Sequence, residues 1–240
     1  MTGLVRKATF LSACGMLIAG SAMAFVPSPI TSTFGCSIRL VGRLGAVVDP
    51  IGTYVIVVKD IAGNPIPNAA VKLDFTACCN DEKVASVQGW PGLAVDVTKK
   101  IITGTADGAG QLVVRVQGMA SNLSTALGAR TGVMAGCMDV YANSGTGFVL
   151  LSDPNNGRAH VHVATYDNDG GAGGLGVTGA DFSVFLTDWL ATADNKHRSD
   201  LDYDIACVTG VTGADFSVFL TDWLGTAAST SNDAFTGACP

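Results

Sequence analysis

GVTGADFSVFLTDWL, residues 176–190, recurs without a change at residues 210–224, an offset of 34 (210 − 176). A duplicated supersecondary unit follows, because self-similarity at a fixed period constrains architecture more than any single motif. Each copy encodes one helix. Phe182, Phe185, Leu186, Trp189 and Leu190 fall at i, i+3, i+4, i+7 and i+8, one apolar stripe at helical period. Phe216, Phe219, Leu220, Trp223 and Leu224 repeat it. Thr178 and Asp181 have capping-box spacing, as do Thr212 and Asp215. Each Thr is the N-cap, and each Asp carboxylate lies near the orphan N–H groups of the first turn. Helices this short cannot bury such a stripe alone. Packed antiparallel, they would bury each other's aromatics at roughly 1.5–3 kcal/mol per large side chain.

Aspartates precede both copies. Asp167 and Asp169 stand before the first, and Asp200, Asp202 and Asp204 before the second. An EF-hand loop places oxygen ligands at positions 1, 3 and 5, then a backbone carbonyl, then a carboxylate at position 12 inside the following helix. Alternate aspartates bring hard oxygens around one cation, and the helix-start Asp181 or Asp215 closes the shell from the far side. Such an oxygen cage predicts calcium; a zinc site would use His or Cys. A solvated acidic turn followed by capping boxes is the alternative, and it accounts for Asp181 and Asp215 without metal.

Two loop-plus-helix units without an entering helix resemble the dockerin domain, over about residues 165–227, through the pattern V-T-G-A-D-F-S-V-F-L-x-x-W-L. The resemblance implies a first site of Asp167, Asp169 and Asp181, and a second of Asp200, Asp202, Asp204 and Asp215. Thr178 and Thr212 would take the ninth loop position. It also implies a cohesin-like or other surface protein as partner, met at Gly179 and Ala180 in one copy and Gly213 and Ala214 in the other. These small residues differ from the hydroxyl pairs common in cellulosomal dockerins. Both loops depart in length: Asp167 to Asp181 spans 14 positions and Asp200 to Asp215 spans 15, against about 11 in a 12-residue loop. The first has Gly171 where a third aspartate belongs, and the second has Ile205 at the central glycine. With the larger carboxylate count, the second loop is expected to be the better calcium site. Insertions need not abolish binding, since closure entropy grows slowly with length.

Charge divides the chain at the same place. Residues 25–166 hold ten Lys/Arg and nine Asp/Glu, whereas residues 167–240 hold two Lys/Arg and eleven Asp. No basic face suits nucleic acid. Upstream of the repeats the sequence alternates at period two, as half-buried strands do. Val71, Leu73 and Phe75 point one way and Lys72, Asp74 and Thr76 the other; Leu112, Val114 and Val116 do the same. Tyr54 to Val58 reads as a strand buried on both faces. Ala62-Gly63-Asn64-Pro65 and Asp107-Gly108-Ala109-Gly110 favour tight reversals. About seven short strands in this span suit a β-sandwich. The run Val58 to Val71 and the turn Thr105 to Gly110 resemble the bacterial Ig-like domains of invasin-type adhesins. That resemblance implies a spacer or a binding arm.

The N-terminus reads as an export signal. Arg6 and Lys7 precede an apolar run at residues 8–20, and Ser21-Ala22-Met23-Ala24 offers a small-x-small cleavage pattern ahead of Phe25. A lipoprotein reading at Leu11 to Cys14 leaves only three residues of apolar run after Lys7. Nothing is long and apolar enough to predict a membrane span. Cys36, Cys78, Cys79, Cys137, Cys207 and Cys239 remain after residue 24, an even number that reads as disulfides in an exported protein. Four are expected in the first module and a Cys207–Cys239 bridge in the second.

The expected architecture is mainly β with a small α module. Residues 1–24 form the signal peptide, 25–160 an Ig-like β-sandwich, and 165–240 a dockerin-like pair of calcium loop–helix repeats. His160 and His162 read as an exposed strand face and Trp90 as loop packing, with a metal pair and a sugar-stacking site as the alternatives. No nucleophile elbow, phosphate loop or zinc-helix signature is present, and Glu82 is the one glutamate. The expected function is secreted and non-catalytic: extracellular attachment or assembly through the calcium-stabilised tail. A structural protein whose helix pair packs on its own sandwich, and an adhesin binding a glycan or protein through that sandwich, are the alternatives.

Overall fold

The computed structural model describes residues 25–44, 47–76, 82–120, 136–152, 160–169, 176–190, 199–201 and 210–225. The predicted signal peptide, Cys78, Cys79, Cys207, Cys239, Asp202 and Asp204 lie outside the described residues.

Among the described residues the chain is mainly β with two short helices. A small sheet joins β1 (Thr33–Phe34), β5 (Tyr54–Val57) and β10 (Gln111–Val114) in that order. A larger one runs β2 (Ser37–Leu40), β14 (Val161–Thr165), β12 (Cys137–Asn143), β6 (Ala70–Asp74), β9 (Ile101–Thr105) and β8 (Ala94–Asp96), with β13 (Val149–Leu150) paired to β12. Two further pairs are β3 (Arg43–Leu44) with β4 (Val47–Val48), and β7 (Glu82–Val84) with β11 (Gly118–Ala120).

The two main sheets share one core. Ile56, Val58, Leu112 and Val114 come from the small sheet and its flank; Leu73, Ile102, Val140 and Val163 come from the large one. The period-two reading holds on β6, where Val71 and Leu73 are buried while Lys72 and Asp74 are half-buried. On β5 the expected burial of both faces does not hold: Tyr54, Ile56 and Val58 are buried, but Val55 and Val57 are half-buried. A β-branched run fits a strand with one covered face as well as one with two. Both expected reversals form around an aspartate. Asp60 Oδ1 accepts from the N–H groups of Ala62 and Asn64, and Asp107 Oδ1 from those of Ala109 and Gln111. Gly110 has φ +72°, and a Cβ there would stand 2.8 Å from the Val58 carbonyl oxygen, so the second turn requires glycine.

Residues 161–165 correct the sequence reading of a connecting strand with an exposed face. β14 is an inner strand, parallel to β2 and antiparallel to β12, and all five of its residues are buried. His162 is 1% exposed, so it forms no surface metal pair with His160. The tail therefore leaves an inner strand with no linker: Thr165 pairs with Leu40, and Asp167 follows two residues later.

The same placement bears on the cysteines. Ser37 and Cys137 both pair with His162, one from each side of β14. Cys36 and Cys137, both disulfide-bonded, thus stand about two strand spacings apart, ~9.6 Å, too far to bridge each other. Non-reducing peptide mapping is expected to find them in separate bridges; a Cys36–Cys137 cross-linked peptide would contradict the strand order.

The helices α1 (Gly179–Leu190) and α2 (Gly213–Gly225) pair antiparallel. Phe182 near the start of α1 meets Trp223 near the end of α2 at 5.1 Å, and Trp189 meets Phe216 at 5.4 Å. The equivalent residues Phe185 and Phe219 stack on each other at 4.9 Å. Duplicated sequence has become a local pseudo-twofold. One end of the predicted stripe stays outside, with Leu190 81% exposed.

This helix pair does not stand apart from the sheets. Phe185, Phe219 and Leu201 share a second core with Val41, Val48, Ala164 and Tyr166, against which Ile51 and Trp90 also pack. Trp90 donates its indole N–H to the Val113 carbonyl and lies under the Arg115 guanidinium, 4.4 Å from the ring centroid. It is loop packing, as the simpler reading held.

Candidate metal centre

Strand β14 delivers Asp167 and Asp169, and the first turn of α1 delivers Asp181. The helix starts as the capping box predicts: Thr178 Oγ1 accepts from the Ala180 N–H at 3.2 Å, and Asp181 Oδ2 accepts from Thr178 N and Oγ1 at 2.6 and 2.9 Å. The other oxygen reaches back into the loop. Asp181 Oδ1 accepts from the N–H groups of Asn168 and Asp169 at 2.6 and 3.1 Å. Asp167 Oδ2 accepts from the Gly176 N–H at 3.0 Å. Gly176, at φ +124°, supplies the left-handed backbone that turns the chain into the helix.

These bonds draw three buried carboxylates together. Asp167, Asp169 and Asp181 each offer an oxygen, all within 4.8 Å of one another. With calcium–oxygen distances of about 2.3–2.6 Å, ligands on opposite sides of one ion stand roughly 4.6–5.2 Å apart. The spread fits a single shell. The donors are hard oxygens only, the set that calcium takes.

Electrostatics point the same way. Burial pushes the Asp181 carboxyl above its ordinary range, and the neighbouring Asp169 charge adds to this, while the bonds from Thr178 and Asn168 oppose it. Asp188, Asp200 and Asp215 are buried as well. Residues 167–240 supply only two Lys/Arg against eleven Asp, so cations of the tail cannot balance these carboxylates. Buried charge is stable when hydrogen-bonded, paired or bound to metal.

The second repeat has the same frame. Thr212 N and Oγ1 donate to Asp215 Oδ2 at 2.7 and 3.0 Å, and Gly210 N–H donates to Asp200 Oδ2 at 3.1 Å. Gly210 has φ +142°. Of the expected second set, Asp200 and Asp215 are buried, and Asp202 and Asp204 lie outside the described residues. The three-carboxylate arrangement on view is therefore that of the first loop. Leu201, next to Asp200, is buried in the second core, and its carbonyl accepts from Arg39 Nε of β2 at 2.6 Å.

Gly179, Gly213 and Ala214 are exposed and Ala180 is half-buried. A Cβ at either glycine would meet nothing within 4 Å. Because the helices run antiparallel, these two notches sit at opposite ends of the pair.

Sequence reasoning missed Asn168, Asp188 and Ser199. Ser199 Oγ donates to Asp188 Oδ2 at 2.7 Å and accepts from Asn168 Nδ2 at 3.4 Å, all in the interior. One signal was available: Asp188 is i+7 from Asp181 and so shares its helix face. Elsewhere, Asp139 Oδ1 lies 2.7 Å from both Ser152 Oγ and His160 Nδ1. The serine hydroxyl thus donates to the carboxylate rather than to the imidazole, which is not the order a nucleophile needs.

No family model matches the chain, and neither the curated proteins nor the solved structures yield a match.

Proposed function

We propose that this is a non-catalytic, exported attachment or assembly protein whose C-terminal loop–helix pair is organised by calcium. The observation that carries the reading is the trio Asp167, Asp169 and Asp181, buried and convergent within 4.8 Å. On this reading the two sheets form an Ig-like sandwich and the tail is dockerin-like. Asp200, Asp202, Asp204 and Asp215 make the second calcium loop. The open notches at Gly179–Ala180 and Gly213–Ala214 admit close approach of a partner's backbone, a cohesin-like or other surface protein, at one end of the pair at a time.

Calcium at about 100 times its dissociation constant stabilises the folded state by roughly 2.7 kcal/mol per site. For a chain of this size that corresponds to about 5–10 °C in melting temperature. Thermal unfolding of the full chain in chelator and in calcium is expected to differ by that amount for each site filled. Coincident curves would remove calcium from the account.

A second reading, a structural protein whose helix pair serves its own β module, is favoured by the shared second core. Here Trp90→Ala is expected to raise amide exchange throughout both helices by loosening their seat. Unchanged exchange would leave the helices held by each other alone.

A further inference from the structure

We propose that a cleft on the β module, between the turn that leads into β6 and the β12–β13 hairpin, binds a neutral saccharide; the inference goes beyond the calcium reading and does not depend on it. The cleft holds about 420 Å³, within the range of roughly 300–1,000 Å³ that small-molecule sites occupy. Ile66, Pro67 and Asn68 line it from the turn, Asn143 and Ser144 from the hairpin, and Phe25 from the segment before β1. Ala70, paired across the strands with Asn143, joins the two. Both are fixed before any ligand arrives. Asn143 Oδ1 accepts from the N–H groups of Gly145 and Gly147 at 2.7 and 3.0 Å, and the Asn68 N–H donates to the Asp107 carbonyl at 3.2 Å. A preformed cleft loses little conformational entropy on binding.

The lining selects the ligand class. None of the described residues that line the cleft is charged, so an ionised ligand would be desolvated there without a counter-charge. Phe25 is 58% exposed and Pro67 is exposed as well, which leaves apolar ring faces open for stacking. Beside them stand the exposed Asn68 amide and the Ser144 hydroxyl. A pyranose ring offers the complement: C–H faces that stack, and a rim of hydroxyls that both donate and accept. A second observation marks a missing partner. Ser144 Oγ is buried with no hydrogen-bond partner, although buried hydroxyls are nearly always bonded. Ser144 as a whole is only half-buried, so rotation about χ1 between staggered positions can carry its hydroxyl to a ligand.

Calorimetric titration of the purified protein with neutral trisaccharides of glucose, galactose, mannose and N-acetylglucosamine is the test. At least one is expected to bind, with a dissociation constant in the micromolar to millimolar range. Phe25→Ala should weaken that binding about ten-fold or more, and so should Asn68→Ala; both side chains are exposed, so the unfolding midpoint should stay in place. Ser144→Ala should weaken binding without lowering the midpoint, because it removes a hydroxyl that has no partner in the free protein. If no trisaccharide of the set binds, or if the one that binds is held as tightly by Phe25→Ala and Asn68→Ala, the assignment is overturned. Tighter binding of a galacturonic acid trimer than of the neutral sugars would overturn it as well.

Discussion

Replacing Phe219 by alanine is expected to cost about 3–5 kcal/mol, the range for deleting a fully buried phenylalanine. Its ring is fully buried, stacks on Phe185 at 4.9 Å, and lies within about 6 Å of Phe182 and Trp223. The cavity left behind would sit on the pseudo-twofold, where both helices and the β module converge, and no neighbour can collapse into it without unstacking another ring. Against a total stability of roughly 5–15 kcal/mol, such a loss is large. Denaturant unfolding reads it as a fall in midpoint. Leu190→Ala supplies the contrast, since an exposed side chain at the end of the same stripe should change stability by less than about 0.5 kcal/mol. If Phe219→Ala proved as mild as Leu190→Ala, the second core would not be the joint described above.

Asp181→Ala should come next in size, and its effect should depend on calcium. The substitution strands four donors at once: the N–H groups of Thr178, Asn168 and Asp169 and the Thr178 hydroxyl. Leaving a buried donor unsatisfied costs about 1–3 kcal/mol, and loss of a helix cap typically about 1 kcal/mol. A total of about 3 kcal/mol is expected even in chelator, some of it recovered where relaxation lets water in. On the calcium reading the same substitution also removes the ligand that would close the first loop, so in calcium the loss should grow by the calcium stabilisation of that site. Unfolding curves of wild type and Asp181→Ala, each with and without calcium, separate the two contributions. Equal losses in both conditions would reduce Asp181 to a helix cap.

The local patterns were legible because they are local. The duplicated fifteen residues, the Thr178–Asp181 and Thr212–Asp215 capping boxes and the antiparallel aromatic pairing follow from spacing along a helix. Val71 and Leu73 follow from spacing along a strand, and the turns at Asp60 and Asp107 from side chains that reach only a few residues. What escaped was the strand order, which is set by contacts made far along the chain. His160 and His162, alternating with Val161 and Val163, read as an exposed face, but both neighbours of β14 lie elsewhere in the sequence. Trp90 gives no sign by itself that it will seat two helices a hundred residues away. For the candidate site, residue types and the helix-start carboxylates could be read in advance. Ser199 and Asn168 could not, since a buried hydroxyl and a solvated one look alike in sequence.

The position of β14 has a consequence for how the molecule assembles. Among the described strands β2 touches the large sheet only through β14, a pairing between residues 37 and 162, so the first long strand made must wait for one made 125 residues later (162 − 37). A chain emerging amino end first would leave β2 without its sheet neighbour until nearly the whole β module had emerged. Slow closure of so distant a pairing leaves a window for misassociation between neighbouring chains. It also makes the arrival of residue 165, and the acidic tail directly behind it, the event that seals the sheet.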